Sequence, residues 1–160
     1  CTNMKIKNLV ILSFIMMFTL ASCVKRDDYD PTVQAGLDDA LIVKFIADKN
    51  ITVIKHASGI YYQILSSGSG STTYSNSTLV TAKYTGRLLN GTVFDQTTTQ
   101  PLTFPLGNVI VGWQIGVPLI KKGGKIRLLI PSGYGYGRDG SAKIPSNSVL
   151  DFDIELVDVQ

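Results

Sequence analysis

LDFDIELV, residues 150–157, is the stretch from which the rest of the chain can be read. Leu150, Phe152, Ile154 and Leu156 are apolar, and Asp151, Asp153 and Glu155 between them are acidic. Successive side chains of a strand point to opposite faces, so this alternation predicts a strand with one buried face and one face of solvated carboxylates. A sheet that is wet on one side implies antiparallel pairing. Upstream, TLVTAKYTGRLL at 78–89 sets Leu79, Thr81 and Lys83 against Val80, Ala82 and Tyr84, meets Asn90-Gly91, and returns as Thr92-Val93-Phe94. Asn and Gly both accept positive φ, so this pair predicts a hairpin turn. GIYYQIL at 59–65, Leu102 to Leu106 and KIRLLI at 125–130 are further short strand candidates, and SSGSGSTTYSNS at 66–77 is a polar loop. Trp113 to Ile120 is the one helix candidate among them, short and interrupted by Gly116 and Pro118. The expectation is an α+β domain over 56–160, with about five antiparallel strands and a short helix over their apolar face.

The chain ahead of that domain divides into three. Residues 37–55 form a helical extension, whose helix LDDALIVKFIADKN (37–50) carries Leu37, Leu41 and Phe45 at i, i+4, i+8 with Ile42 and Ile46 beside them. Asp38 and Asp39 in its first turn and Lys49 in its last suit the helix macrodipole. Fourteen residues are marginal alone, so the apolar stripe should pack, either on the following domain or on a second copy in a dimer. The helix is expected to be dispensable for turnover. Residues 23–36, polar and broken by Pro31, read as a flexible tether. Residues 1–22 read as an export signal: Lys5 and Lys7 precede an apolar run from Leu9 to Ala21. That run spans about 20 Å as a helix, short of the roughly 30 Å bilayer core. It ends in Leu20-Ala21-Ser22-Cys23, which resembles the lipobox of bacterial lipoproteins. The resemblance implies acylation of Cys23 by palmitate-type chains and anchoring to a membrane of the bacterial cell envelope, facing the periplasm or the cell surface. Asp27, Asp28 and Asp30 behind it resemble surface-export signals, although a solvated tether explains them as well.

Composition removes several chemistries. Lys and Arg number 15 and Asp and Glu 12, but two of the lysines sit in the signal, leaving 13 against 12 and no argument for nucleic acid. One His and two Cys exclude a Cys/His zinc site and a disulfide framework, and no metal or cofactor is implied. Glu155 is the single Glu, which leaves no pair for paired-glutamate catalysis, and YGYGRDG at 134–140 lacks the Lys-Ser/Thr of a P-loop. What remains is an aromatic set: Tyr84, Phe94, Phe104, Trp113, Tyr134, Tyr136 and Phe152. Aromatics at these positions suit a core or an apolar pocket with a few polar handles.

Five motifs in order carry a more specific likeness: VTAKYTGRLLNGTVFD at 80–95, FPLG at 104–107, VIVGW at 109–113, GGKIRLLIPSGYGYG at 123–137 and IPSNSVLDFDIEL at 144–156. Together they resemble the FKBP-type peptidyl-prolyl cis–trans isomerases, over about residues 58–159. The resemblance implies a twisted, half-open antiparallel sheet wrapped around one short helix. It also implies roles. Trp113 would be the floor of a proline pocket, with Tyr84, Phe94, Phe104, Val109, Ile110, Ile144 and Phe152 as walls. The Ile110 N–H would hold one substrate carbonyl, the Tyr136 hydroxyl would donate to another, and Asp95 would be the polar group at the edge. Leu102 stands where the family usually has a second aromatic wall, and Tyr134 matches a structural tyrosine. Proline-containing polypeptides would be the clients, and macrolides of the immunosuppressant type plausible ligands. The competing reading is a module that holds proline-containing segments with little or no turnover.

Overall fold

The computed structural model describes residues 28–160; the expected signal 1–22, Cys23 and residues 24–27 lie outside the described residues. Seven strands form one antiparallel sheet: β1 (Ile54–Lys55), β2 (Tyr61–Ser66), β3 (Leu79–Leu88), β4 (Val93–Gln96), β5 (Leu102–Pro105), β6 (Lys125–Ile130) and β7 (Leu150–Val159). The order is β1-β2-β6-β7-β3-β4, and β5 pairs with the first half of β3 while β4 pairs with the second. β7 is therefore interior, joined to β6 on one side and to β3 on the other. β1 is two residues long, too short to leave a period in the sequence, and falls inside the stretch expected to be helical extension.

The β3–β4 hairpin stands where Asn90-Gly91 predicts it, with a different turn. Gly91 has φ +91° and Asn90 is not in the left-handed region; instead its side chain accepts from Thr92 N at 2.9 Å. An Asx side chain closing on the backbone two residues ahead stabilises such a turn without a second positive φ.

One sheet face packs on α2 (Val111–Gly116), which ends in a single 3-10 turn, Val117–Leu119, where Pro118 stands. Gly116 seats this helix as well as ending it. A Cβ there would lie 2.5 Å from Leu128 Cδ1, and one on Gly112 would lie 2.5 Å from Ile130 Cγ2, so their absence lets α2 lie close on β6. Leu150, Phe152, Ile154 and Leu156 of β7 all point into this core, with Val80, Ile126, Leu128 and Trp113.

The other face is not solvated throughout. The helix α1 (Pro31–Lys49) lies over part of it, and Ile42, with Phe45 and Ile46, closes a second apolar cluster with Tyr61, Leu129 and Val149. Leu128 and Leu129 alternate between the two clusters, as period two requires. Asp151, expected in water, is 3% exposed. Its carboxylate takes Arg127 Nε and Nη2, both at 2.8 Å, and Arg127 in turn lies 5.8 Å from the ring of Phe45. A buried carboxylate needs such donors, and the bidentate guanidinium supplies them.

α1 begins six residues before the expected Leu37. Pro31 occupies the first turn, where its missing N–H costs nothing, and Asp30 is the N-cap, accepting from Thr32 N at 2.8 Å. The stretch 31–36 is helix, and only residues 28–30 of the expected tether are described as non-helical. The buried stripe is also rotated from the expected one: Asp38 and Ile42 are buried, while Leu37 and Leu41 are exposed.

Candidate functional site

At the α2 side of the sheet a groove of about 300 Å³ opens, lined by Tyr84, Asp95, Phe104, Asn108, Val109, Ile110, Trp113, Tyr136 and Phe152. Its residues come from β3, β4, β5, β7, α2 and two loops, so the fold, not any one segment, assembles it. Trp113 is buried at the start of α2. The rings of Tyr84, Phe104 and Phe152 stand at 87°, 79° and 85° to its indole, with centroids 5.2, 6.0 and 5.5 Å away. Three near-perpendicular walls on a flat floor make an apolar box, and edge-to-face contacts of this kind favour that arrangement.

The polar groups lie around this box. The Tyr84 hydroxyl donates to Asp95 Oδ2 at 2.7 Å. Burial, then this hydrogen bond, pushes the Tyr84 phenol well above the usual tyrosine range. Burial first and the Asp95 charge second also raise Tyr136. Both hydroxyls therefore keep their protons at neutral pH. They differ in availability: the Tyr84 proton is committed to Asp95, whereas among the described residues no acceptor is found for the Tyr136 hydroxyl. The Ile110 carbonyl accepts from Trp113 N at 2.9 Å and Gln114 N at 3.2 Å, and no acceptor is found for the Ile110 N–H among the described residues. Gln114 Nε2 donates to Val109 O at 2.8 Å and so ties the loop to the helix. The arrangement offers an apolar cavity flanked by two donors, with no nucleophile in it.

Eight of the residues expected at the site line the groove: Tyr84, Asp95, Phe104, Val109, Ile110, Trp113, Tyr136 and Phe152. Three expected there do not. Phe94 is buried behind Phe152, edge-on at 5.5 Å. Ile144 is buried in the main core at the Ser141–Ile144 bridge. Leu102 is 47% exposed, opposite Ala82 and one alternation out from Phe104 along β5. Tyr134 packs on the core. Asn108 lines the groove and was not expected; it falls between the FPLG and VIVGW motifs, and only its adjacency to Val109 and Ile110 could have signalled it.

Such a site has shape, an apolar lining and aimed donors to offer, and no nucleophile. Residues 70–157 match the model of the FKBP-type peptidyl-prolyl cis–trans isomerase family. The chain is 46% identical over 110 residues to the FKBP-type peptidyl-prolyl cis–trans isomerase FkpA of Buchnera aphidicola subsp. Schizaphis graminum, covering 68% of this chain and 44% of that protein. To FkpA of Escherichia coli K12 it is 42% identical over 119 residues, covering 73% and 43%. The crystal structure of FkpA from Escherichia coli superposes with a TM-score of 0.70 at 33% identity, covering all of this chain and 74% of that one. A peptidyl-prolyl cis–trans isomerase from Pseudomonas syringae pv. tomato gives 0.67 at 33% identity, covering 83% and 98%. The chain belongs to the FKBP-type peptidyl-prolyl cis–trans isomerases, a family of enzymes, and has their fold with an N-terminal helix added. The aligned residues span less than half the length of the FkpA sequences of Buchnera aphidicola and Escherichia coli K12.

Proposed function

We propose that the protein catalyses cis–trans isomerisation of X–Pro bonds in polypeptides, with the proline ring on Trp113 between Tyr84, Phe104 and Phe152. The observation that carries this is the pairing of that apolar box with two donors that have no acceptor among the described residues, the Tyr136 hydroxyl and the Ile110 N–H. Rotation about the amide faces a barrier of about 18–20 kcal/mol because the C–N bond has partial double-bond character. A planar amide is more dipolar than a twisted one, so a dry apolar site eases the twist. Donors that hold the flanking carbonyls keep the ring and the chain in one geometry while the amide turns. Val109 and Asn108 would complete the wall, Asp95 would orient Tyr84, and Phe94 and Ile144 would act as supports from behind. Leu102, at the outer rim, would meet residues beyond the proline.

A magnetisation-exchange NMR measurement on an X–Pro peptide tests the proposal. Added protein should raise the exchange rate far above the uncatalysed scale of about 10–100 s per event. Saturable peptide binding with no acceleration would instead identify a holding module. A macrolide of the immunosuppressant type should compete for the same groove.

The same reading places the protein in the bacterial cell envelope, assisting exported polypeptides, with Cys23 as its lipid anchor. What supports this is the Lys5–Cys23 pattern and the likeness to FkpA. Cys23→Ala should release the protein from the membrane or leave the signal uncleaved; a protein still anchored and processed would end the lipoprotein reading. A second copy would dock on Val33, Leu37 and Leu41, which α1 leaves exposed, and sedimentation would show it as a dimer.

A further inference from the structure

The segment ahead of the family's domain reaches the loop that carries Tyr136. Asp38, in the middle of α1, is 1% exposed. Its Oδ2 accepts from Ser132 N at 2.7 Å and from Ser132 Oγ at 2.6 Å, and its Oδ1 accepts from Gln34 Nε2 at 2.8 Å. Ser132 is itself fully buried and opens the 3-10 turn Ser132–Tyr134. The Ser132 carbonyl then accepts from Gly135 N and Gly137 N, both at 2.9 Å. Tyr136 is the residue between those two glycines. A second contact falls just beyond it, where the Arg138 guanidinium lies 5.4 Å from the ring of Tyr29, the residue before the Asp30 cap. Segment 29–38 thus touches this loop on both sides of Tyr136.

The physical need for such a hold is visible in the loop. Gly133, Gly135 and Gly137 give it more conformational freedom to lose than other residues would, and Gly137 is at φ +58°. Elsewhere α1 docks through apolar side chains, Ile42, Phe45 and Ile46. A carboxylate in that stripe is costly to bury unless donors meet it, and the Ser132 N–H and hydroxyl are equally costly to bury without an acceptor. Packing alone asks for neither group. From this we infer that Asp38 is a positioning residue: through Ser132 it holds the 132–138 loop so that the Tyr136 hydroxyl stays over the groove. This rests on the isomerase reading and sets aside the expectation that the helix is dispensable for turnover.

A double-mutant cycle in the full chain tests it, with two readouts: kcat/KM on an X–Pro peptide, and amide hydrogen exchange at Gly135 and Gly137. Asp38→Ala should lower kcat/KM several-fold, mostly in kcat, and speed exchange at both glycines at least tenfold, with the amides of β7 unchanged. In the Tyr136→Phe background Asp38→Ala should cost nothing further, because the group it positions is already gone. Asp38→Asn, which keeps one acceptor for Ser132 N, should recover most of the rate. Equal losses in both backgrounds, or unchanged exchange at the glycines, would overturn the inference. If Asp38→Ala does not fold, Ser132→Ala is read by the same two measurements and the same outcomes. A parent protein without turnover would defeat the isomerase reading, and the exchange data would then decide by themselves whether Asp38 braces the loop.

Discussion

On one face of β7, Phe152 and Ile154 pack among aromatic and aliphatic side chains and leave a groove; on the other, Asp151 gathers Arg127 and Arg87 beneath α1. The two faces belong to the same ten residues and differ by one step in register. The groove face is floored and walled by aromatic rings; the one polar atom of its floor, Trp113 Nε1, is buried with no partner among the described residues, and the Tyr136 hydroxyl and Ile110 N–H lie at the edge. The α1 face does the reverse: directional bonds from Ser132 to Asp38 and from Tyr61 to Asp39 set where the helix lies, and Ile42, Phe45 and Ile46 supply the apolar contact. Non-directional packing suits a site proposed to accept many sequences around proline. Directional bonding suits an element that must sit in one place.

Removing Trp113 should break the groove face most severely. Trp113→Ala takes away a buried indole that three rings pack against, and should cost about 3–5 kcal/mol, read from denaturant unfolding. Loss of stability as small as a surface substitution gives would mean that the indole is not core. Trp113→Leu keeps an apolar floor of a different shape, and should lower isomerase rate or proline-ligand affinity in a folded protein.

Asp151→Ala attacks the other face. It strands Arg127, while Arg87 keeps its pair with Asp153, and should destabilise by about 3 kcal/mol, the low end for a broken buried pair, since the Arg127 guanidinium keeps some exposure. Ligand affinity at the groove should stay at the parent value. A matching fall in affinity would show that the two faces are not separable.

Tyr136→Phe is gentler still. It deletes one hydroxyl that is raised by burial and free to donate, and should reduce kcat/KM several-fold, about 0.5–1.5 kcal/mol, with unchanged melting. Parent-level turnover would remove Tyr136 from the proposed roles.

The smallest effect is expected from pH. Tyr84 and Tyr136 hold their protons more tightly in the folded chain than in the unfolded one. Their contribution to stability is therefore complete below about pH 10 and is lost as the pH rises from there through their folded values. Neither phenol should add a step to the turnover profile between pH 7 and about 9.5. An alkaline fall centred in that range, absent from Tyr136→Phe, would show that burial does not raise the Tyr136 phenol.

How much of this could be read from the chain depended on distance along it. The alternation of β7, the 78–94 hairpin and the groove residues Tyr84, Trp113, Tyr136 and Phe152 follow from local period and from motif order. Asp151 is not legible as buried, because alternation tells which residues share a face but not what covers it, and the cover comes from α1, more than 100 residues earlier. Pro31 reads as a break in the sequence, because its place in the first turn is evident only once Asp30 is recognised as the cap. Phe94 and Ile144 are apolar in the right motifs, yet whether an apolar side chain lines a cavity or backs its wall is decided by a few ångströms of packing that no motif encodes.

The interior place of β7 also governs the order in which this domain can be completed. Remove β7 and the sheet divides into β1-β2-β6 on one side and β3 with β4 and β5 on the other, with no hydrogen-bonded strand between them. The first strand of the second half, β3, waits some sixty residues of chain for the partner that joins it to β6. During synthesis, two open sheet edges stay unpaired until Leu150 and the residues after it emerge. Pairings of such long separation are slow to close and exposed to misassociation while they wait. A chain proposed to hasten the folding of others would itself reach its working shape only when its last strand arrives.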